Sequence, residues 1–168
     1  MHAVSLRILS LLVAVAVLAT ATGCGGGDGS SSADAADTAS SSAVTEITLQ
    51  PVGNQMEYKQ TEFTVPAGEE ITVTFENTAT SPAMEHNVVV LTSNEDAVVD
   101  RVGQAAMGAG DSEYVPDDEA VLAATDMAAP GETVSVTFTA PSEPGTYRYI
   151  CTFPGHYTVM QGTMTVAA

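Results

Sequence analysis

The stretch YRYICTFPGHYTVMQGTMTV, residues 147–166, has the pattern of two β-strands joined by a tight loop. Residues typical of strands, such as Val, Ile, Thr and Tyr, flank the loop, and Pro154 and Gly155 inside it favour a turn. Similar runs occur upstream and end in Gly, Pro or Asn. Together they predict an all-β, antiparallel sandwich or barrel. The upstream runs lie at residues 46–49, 61–65, 71–75, 87–91 and 133–138.

Residues 94–107 depart from this pattern, because Ala and Val recur there near helical spacing. Ser93 or Asn94 could cap the start of a helix, and the glycines that follow residue 107 would end it. We therefore predict one short helix inserted between strands, followed by a polar loop over residues 111–119.

The N-terminal segment has the features of an export signal. Residues 8–21 are almost wholly apolar and follow a weakly basic start, but the run is shorter than the ~18–20 residues of a membrane span. The residues Ala21-Thr22-Gly23-Cys24 resemble a bacterial lipoprotein signal, in which cleavage exposes a cysteine for lipidation. We predict a signal peptide over residues 1–23 and lipidation of Cys24. An ordinary cleaved signal and an uncleaved anchor are the alternatives, and all three place the protein outside the cytoplasm.

Residues 24–43 are mostly Gly, Ser, Ala, Asp and Thr, which predicts a flexible linker before a folded domain at residues 44–168. The chain has two cysteines, Cys24 at the signal boundary and Cys151 in the C-terminal loop. In an exported protein a pair of cysteines often forms a disulfide. Here each cysteine has a separate predicted use, so we expect no disulfide.

The chain carries a formal net charge of −17 at pH 7, with 4 basic and 21 acidic residues, and Lys59 is its one lysine. Nucleic-acid binding is excluded by this balance, because phosphate contacts need Lys and Arg. Two hypotheses fit the acidity: adaptation to high salt, which the scarcity of lysine favours, and encounters with basic partners.

A candidate metal site is visible in the same C-terminal loop. Cys151, His156 and Met160 follow one another at Cys-x4-His-x3-Met spacing, and His86 lies at the start of an upstream apolar run. Two imidazoles, a thiolate and a weak axial thioether are the ligands of a blue-copper electron-transfer site. Each residue alone has a plainer interpretation, such as a core cysteine or a loop histidine, but their conjunction favours copper. Met84 is a second candidate for the axial position.

The motif resembles the azurins and auracyanins within the cupredoxin family. The resemblance extends to Met84-x-His86-Asn87, to residues 53–56 and to residues 113–118, and so covers almost the whole predicted domain. It implies a Greek-key sandwich or barrel of about eight strands, with one short inserted helix and one type 1 copper. By the same resemblance, His86, Cys151 and His156 would be strong equatorial ligands and Met160 a long axial one.

The resemblance also implies roles around the metal. The backbone N–H groups of Asn87 and Phe153 would point at the cysteine sulfur, and the edge of His156 would face an apolar docking patch. The implied partners are extracytoplasmic redox proteins, such as a cytochrome c or a membrane oxidoreductase of a respiratory or photosynthetic-type chain. The domain would be monomeric, with Cys24 as its membrane attachment. Matching patch positions are Met56, Met84, Phe153, Pro154 and Val159.

One position departs from the family pattern. Glu85 stands where azurins have glycine, whose carbonyl lies opposite the axial methionine. We therefore expect no second axial contact at the metal. Three rival functions are a copper storage or delivery protein, a catalytic copper domain, and a zinc site on the same ligands. A catalytic copper domain needs further histidine ligands, and His86 and His156 are the two histidines after the predicted signal, so we expect no enzyme activity.

Overall fold

The computed structural model describes residues 42–168, which form eight β-strands, one α-helix and two short 3-10 turns. Helix α1 (Asp96–Ala106) lies between the fourth and fifth strands, and the 3-10 turns are Gly110–Ser112 and His156–Thr158. The prediction of about eight strands with one inserted helix is confirmed. The strands are β1 (Glu46–Leu49), β2 (Glu62–Pro66), β3 (Glu70–Glu76), β4 (Val89–Leu91), β5 (Val121–Ala124), β6 (Thr133–Thr139), β7 (Gly145–Ile150) and β8 (Gln161–Ala167).

The strands form two sheets. One sheet has three strands in the order β1-β3-β6, and the other has five in the order β2-β8-β7-β4-β5. The pairs β1–β3 and β2–β8 are parallel, while the other neighbours are antiparallel. The predicted antiparallel sandwich thus also contains two parallel strand pairs. Because β2 belongs to the opposite sheet, the chain crosses over and returns before β3 begins, which brings β1 and β3 into the same direction.

Two hydrophobic cores lie against the five-stranded sheet, and neighbouring residues of one strand contribute to different cores. Val88 and Val90 belong to the first core, whereas Val89 and Leu91 belong to the second. The first core is shared by both sheets, and α1 covers the second. The five-stranded sheet is thus buried on both faces around β4, which explains why residues 88–91 form a continuous apolar run rather than an alternating one.

Local details differ from the sequence predictions. Strand β5 was not predicted, because Val-Leu-Ala-Ala has no period-two pattern and the strand pairs with β4 alone, at the sheet edge. Helix α1 begins after Glu95 rather than after Ser93 or Asn94, and Glu95 makes no side-chain capping bond. The hydroxyl oxygen of Ser93 accepts the N–H of Glu95 instead, one turn ahead of the helix. The predicted polar loop starts within the Gly110–Ser112 turn.

The predictions for the N-terminal region lie outside the described residues. They comprise the signal peptide at residues 1–23, the lipidation of Cys24 and nearly all of the linker at residues 24–43. Within the described part, no helix has the length and apolar character needed to cross a membrane. Cys151 is a buried free thiol.

Candidate metal centre

His86, Cys151 and His156 meet beside the first core although up to 70 positions separate them in the chain. The Nδ1 atoms of the two histidines are 3.1 Å apart, and the Sγ of Cys151 lies 3.7 Å from Nδ1 of His86 and 3.6 Å from Nδ1 of His156. His86 and Cys151 are fully buried, and His156 is 5% exposed. The fold therefore places one sulfur and two ring nitrogens around a common point.

Main-chain contacts hold each of the three residues in place. Cys151 directly follows β7, and His86 forms an isolated antiparallel bridge with Ala128. His156 begins the second 3-10 turn, and Gly155 before it adopts a φ of 84°, a left-handed conformation that suits glycine. The ring of His86 is not held by a hydrogen bond through Nε2, because that buried atom has no hydrogen-bond partner among the described residues.

The three donor atoms fit a metal ion. A triangle with sides of 3.1, 3.6 and 3.7 Å has its centre about 2 Å from each corner. That distance is close to the ~2.0–2.3 Å of metal–nitrogen and metal–sulfur bonds in four-coordinate protein sites. Thiolate and imidazole together are donors that copper accepts in both of its common valences.

Burial sets the protonation of this group. It lowers the pKa of His86 from 6.5 to about 4, with His156 adding to the shift, and it also lowers the pKa of His156. Both rings are therefore neutral at pH 7 and each has a lone pair free for a metal. Burial raises the pKa of the Cys151 thiol to about 12, against the opposing effect of N–H groups from Asn87 and Phe153. Metal binding must displace that thiol proton.

Met160 lies next to Cys151 through the backbone. The N–H of Cys151 donates to the carbonyl of Met160 at 3.0 Å, and the N–H of Met160 donates to the carbonyl of His156 at 2.7 Å. The Met160 side chain is fully buried in the first core, as Cys151 is. One loop thus carries the Cys, His and Met side chains, closed by main-chain bonds between its ends.

Sequence comparison decides the family. A profile described as copper binding proteins, plastocyanin/azurin family, matches residues 45–167. The chain belongs to the plastocyanin/azurin family. Auracyanin-A of Chloroflexus aurantiacus is 39% identical over 129 residues, which cover 76% of this chain and 77% of that protein. Outer membrane protein H.8 of Neisseria meningitidis is 38% identical over 104 residues, 60% of this chain and 55% of that one.

Solved structures agree with this assignment. Dithionite-reduced auracyanin from Roseiflexus castenholzii superposes with a TM-score of 0.69 at 44% identity. The match covers 75% of this chain and 99% of the auracyanin chain. These relatives confirm the predicted cupredoxin fold and the predicted copper ion. As a plastocyanin/azurin family member with this site, the protein is a blue copper electron carrier.

Around the copper centre, Asn87 ties the two ligand-bearing segments together. Its side-chain oxygen accepts the N–H of Thr152 at 2.8 Å, and its side-chain nitrogen donates to the Thr152 hydroxyl at 2.8 Å. Its backbone N–H, together with that of Phe153, is directed at the Cys151 sulfur. Both N–H groups stabilise negative charge on that sulfur.

Tyr58 is a contributor that the sequence analysis missed. Its ring is fully buried in the first core, and its hydroxyl donates to the carbonyl of Asn87 at 2.6 Å. Thr152 was missed in the same way. Neither residue carries a ligating atom, so no metal-binding pattern marks it in the sequence.

The residues predicted for the docking patch differ in exposure. Met56 and Val159 are 42% and 57% exposed, Pro154 is exposed, and Met84 and Phe153 are half-buried. The ring of Phe153 lies 4.8 Å from the imidazole of His156, centroid to centroid, and thus joins the copper centre to the surface.

Glu85 is half-buried and lies between Met84 and the ligand His86. The segment around it is fixed by Asn77, whose side-chain nitrogen donates to the carbonyls of Met84 at 2.7 Å and Ala128 at 2.8 Å. The absence of a bond between the Glu85 carbonyl and copper stays a prediction.

Proposed function

We propose that the protein carries single electrons between redox proteins outside the cytoplasm, with His86, Cys151, His156 and Met160 as its copper ligands. The observation that carries this proposal is the convergence of two imidazole nitrogens and one thiol sulfur within 3.7 Å of each other in a buried position. Bound copper would supply a Cu(II)/Cu(I) couple at this point.

The residues around the ligands support rapid transfer. Main-chain bonds at His86, the closed loop from Cys151 to Met160 and the Asn87–Thr152 pair all hold the ligands independently of the metal. Ligands that are fixed in this way move little when the charge at the centre changes. N–H groups directed at the Cys151 sulfur stabilise negative charge on it and so favour the thiolate.

His156 is the natural point for an electron to enter or leave. It is the one slightly exposed residue of the three converging groups, and Phe153 extends it towards the surface. The predicted patch of Met56, Met84, Phe153, Pro154 and Val159 would give a partner a small apolar contact area. Small interfaces suit the brief encounters of redox proteins.

Export and lipid attachment belong to the same proposal. The apolar run at residues 8–21 and the motif ending in Cys24 support a signal peptide and a lipid anchor. A relative that bears the name outer membrane protein H.8 is consistent with an envelope location. Mass spectrometry of the protein isolated from membranes would test it, since an unmodified chain that retains residues 1–23 would contradict cleavage and lipidation before Cys24.

The decisive test of the copper function is spectroscopic. Cu(II) added to the purified protein should give an intense blue band and a type 1 paramagnetic-resonance spectrum, and both should bleach and return reversibly with reductant and oxidant. Cys151→Ser should abolish the colour, whereas Met160→Leu should keep it and shift the reduction potential. A protein that binds Cu(I) without fast electron self-exchange would instead be a storage or delivery protein.

A further inference from the structure

Helix α1 makes one unusually close contact with the loop from Cys151 to Met160, called the copper loop below. Gly103 is buried in the helix, and a Cβ at this position would lie 2.6 Å from Cδ1 of Tyr157 and closer still to Cγ and Cδ2. Carbon atoms in favourable contact are about 3.5–4.0 Å apart. The Tyr157 ring therefore packs directly on the helix backbone, at a distance that only glycine permits.

Tyr157 is the chain neighbour of His156, yet the two residues point into different surroundings. Tyr157 belongs to the second core with Val99 and Val102 of α1, while His156 faces Cys151 and His86. The other end of the loop repeats this alternation, since Ile150 lies in the second core and Cys151 in the first. The copper loop is thus anchored at two points, Ile150 and Tyr157, in the core that α1 covers.

We propose that Gly103 is a positioning residue for the copper site: by admitting the Tyr157 ring against α1, it holds His156 at its distance from Cys151 and His86. This inference rests on the proposed copper function. A displaced Tyr157 ring would move His156 with it, because both lie in one 3-10 turn and the His156 carbonyl accepts the N–H groups of Val159 and Met160 at 3.0 and 2.7 Å. The helix would then be a support for the ligand loop and not a mere insertion between strands.

The test compares the same change, glycine to alanine, at two neighbouring positions. Gly103→Ala introduces the overlap with Tyr157, whereas Gly108→Ala, just beyond the helix, places its Cβ 3.6 Å from the carbonyl of Ala105, an ordinary contact. Copper affinity is measured by competition with a chelator, and the Cu(II) site by visible and paramagnetic-resonance spectra. We expect Gly103→Ala to lose about 10–100-fold in affinity, the range found for residues that orient metal ligands, and to change both spectra. Gly108→Ala should match the wild type in both.

Substitutions of Tyr157 test whether the effect passes through its ring. Tyr157→Phe keeps the ring and should retain the wild-type spectra and affinity. Tyr157→Ala removes the contact from the other side and should alter the spectra even if Gly103→Ala does not fold. In the double variant Gly103→Ala/Tyr157→Ala, the loss of affinity should be clearly smaller than the sum of the two single losses, since the overlap no longer exists.

The outcomes separate this inference from the proposed function. A wild-type protein without a blue band would remove the copper function itself. A blue wild type, with Gly103→Ala and Tyr157→Ala showing wild-type spectra and affinity and only lower melting temperatures, would show that the contact stabilises the fold and does not position His156. Additive losses in the double variant would overturn the inference equally.

Discussion

At the scale of single residues, we expect the stability of the protein to be sensitive to the loss of one buried hydroxyl group, that of Tyr58. Its hydroxyl donates to the carbonyl of Asn87 inside the first core, and the Asn87 N–H is directed at the Cys151 sulfur. Tyr58→Phe would leave that buried carbonyl without its donor, which costs about 1–3 kcal/mol of unfolding free energy. Urea unfolding of the metal-free protein would measure it.

The matched control for this prediction is Tyr147→Phe. The Tyr147 hydroxyl also donates to a backbone carbonyl, that of Glu143 at 2.9 Å, but this bond is exposed to water. Water can replace it, so the change should stay within about 0.5 kcal/mol. Equal effects of the two substitutions would show that burial of the Asn87 carbonyl is not what makes the Tyr58 bond important.

His86 makes the stability of the metal-free protein depend on pH. Its pKa falls from 6.5 to about 4 on folding, so between these values the unfolded chain binds a proton that the folded chain does not. Stability from this residue is therefore present above pH 6.5 and is lost as the pH falls towards 4. Chemical unfolding in the presence of a chelator, at several pH values, would measure the loss.

Because many carboxylates titrate near the same range, the His86 contribution must be isolated by difference. The variant His86→Gln has no ionisable group at this position. The wild type should lose more stability than this variant between pH 6.5 and 4, and the two curves should diverge within that window. Parallel curves would mean that His86 is not kept neutral by the fold.

At the scale of elements, the copper loop depends on a left-handed residue. Gly155 has a φ of 84°, and a Cβ there would meet no atom within 4 Å, so the cost of a side chain is conformational and not steric. Gly155→Ala should cost about 1–2 kcal/mol, the penalty of left-handed backbone for other residues. Thermal unfolding of the metal-free protein would record it as a lower melting temperature.

Gly145→Ala serves as the control for the loop prediction. Gly145 begins β7 without a positive φ, and its Cβ would lie 3.7 Å from the Tyr147 ring, an ordinary contact. This change should leave the melting temperature nearly unaltered. If both substitutions lowered it equally, the left-handed conformation of Gly155 would not be the cause.

A feature could be predicted from the sequence when the residues that determine it lie close together in the chain. Strands β3 and β6 alternate along their length, and the Cys-His-Met spacing lies within one loop, so both were visible in the sequence. The packing of Tyr157 on Gly103 depends on two segments that the chain separates by more than 50 residues, and no residue type signals it. Strand β5 escaped for a similar reason, because its pairing with β4 and not its own pattern defines it.

At the scale of the whole molecule, the charge is poorly compensated. The sequence has 21 acidic and 4 basic side chains, and within residues 42–168 the ion pairs are Arg101–Asp118 and Arg148–Asp96. Most carboxylates therefore repel one another across the surface. Such repulsion acts over about 10 Å at 0.1 M salt and about 3 Å at 1 M. The molecule should accordingly be least stable at low ionic strength.

Salt should therefore raise the melting temperature by several degrees between about 0.05 and about 1 M sodium chloride, a range over which the screening length falls from above about 10 Å to about 3 Å. The control replaces three exposed acids with lysine, as Glu69→Lys, Glu70→Lys and Glu143→Lys, which reduces the net charge without touching the copper centre. This variant should be more stable at low salt and should gain less from added salt.

An equal gain in both proteins would mean that salt acts through general effects on hydration. The acidity would then be better explained by encounters with basic partners. In that case electron transfer to a basic redox protein should slow as salt rises, since screening weakens the attraction that brings the two together.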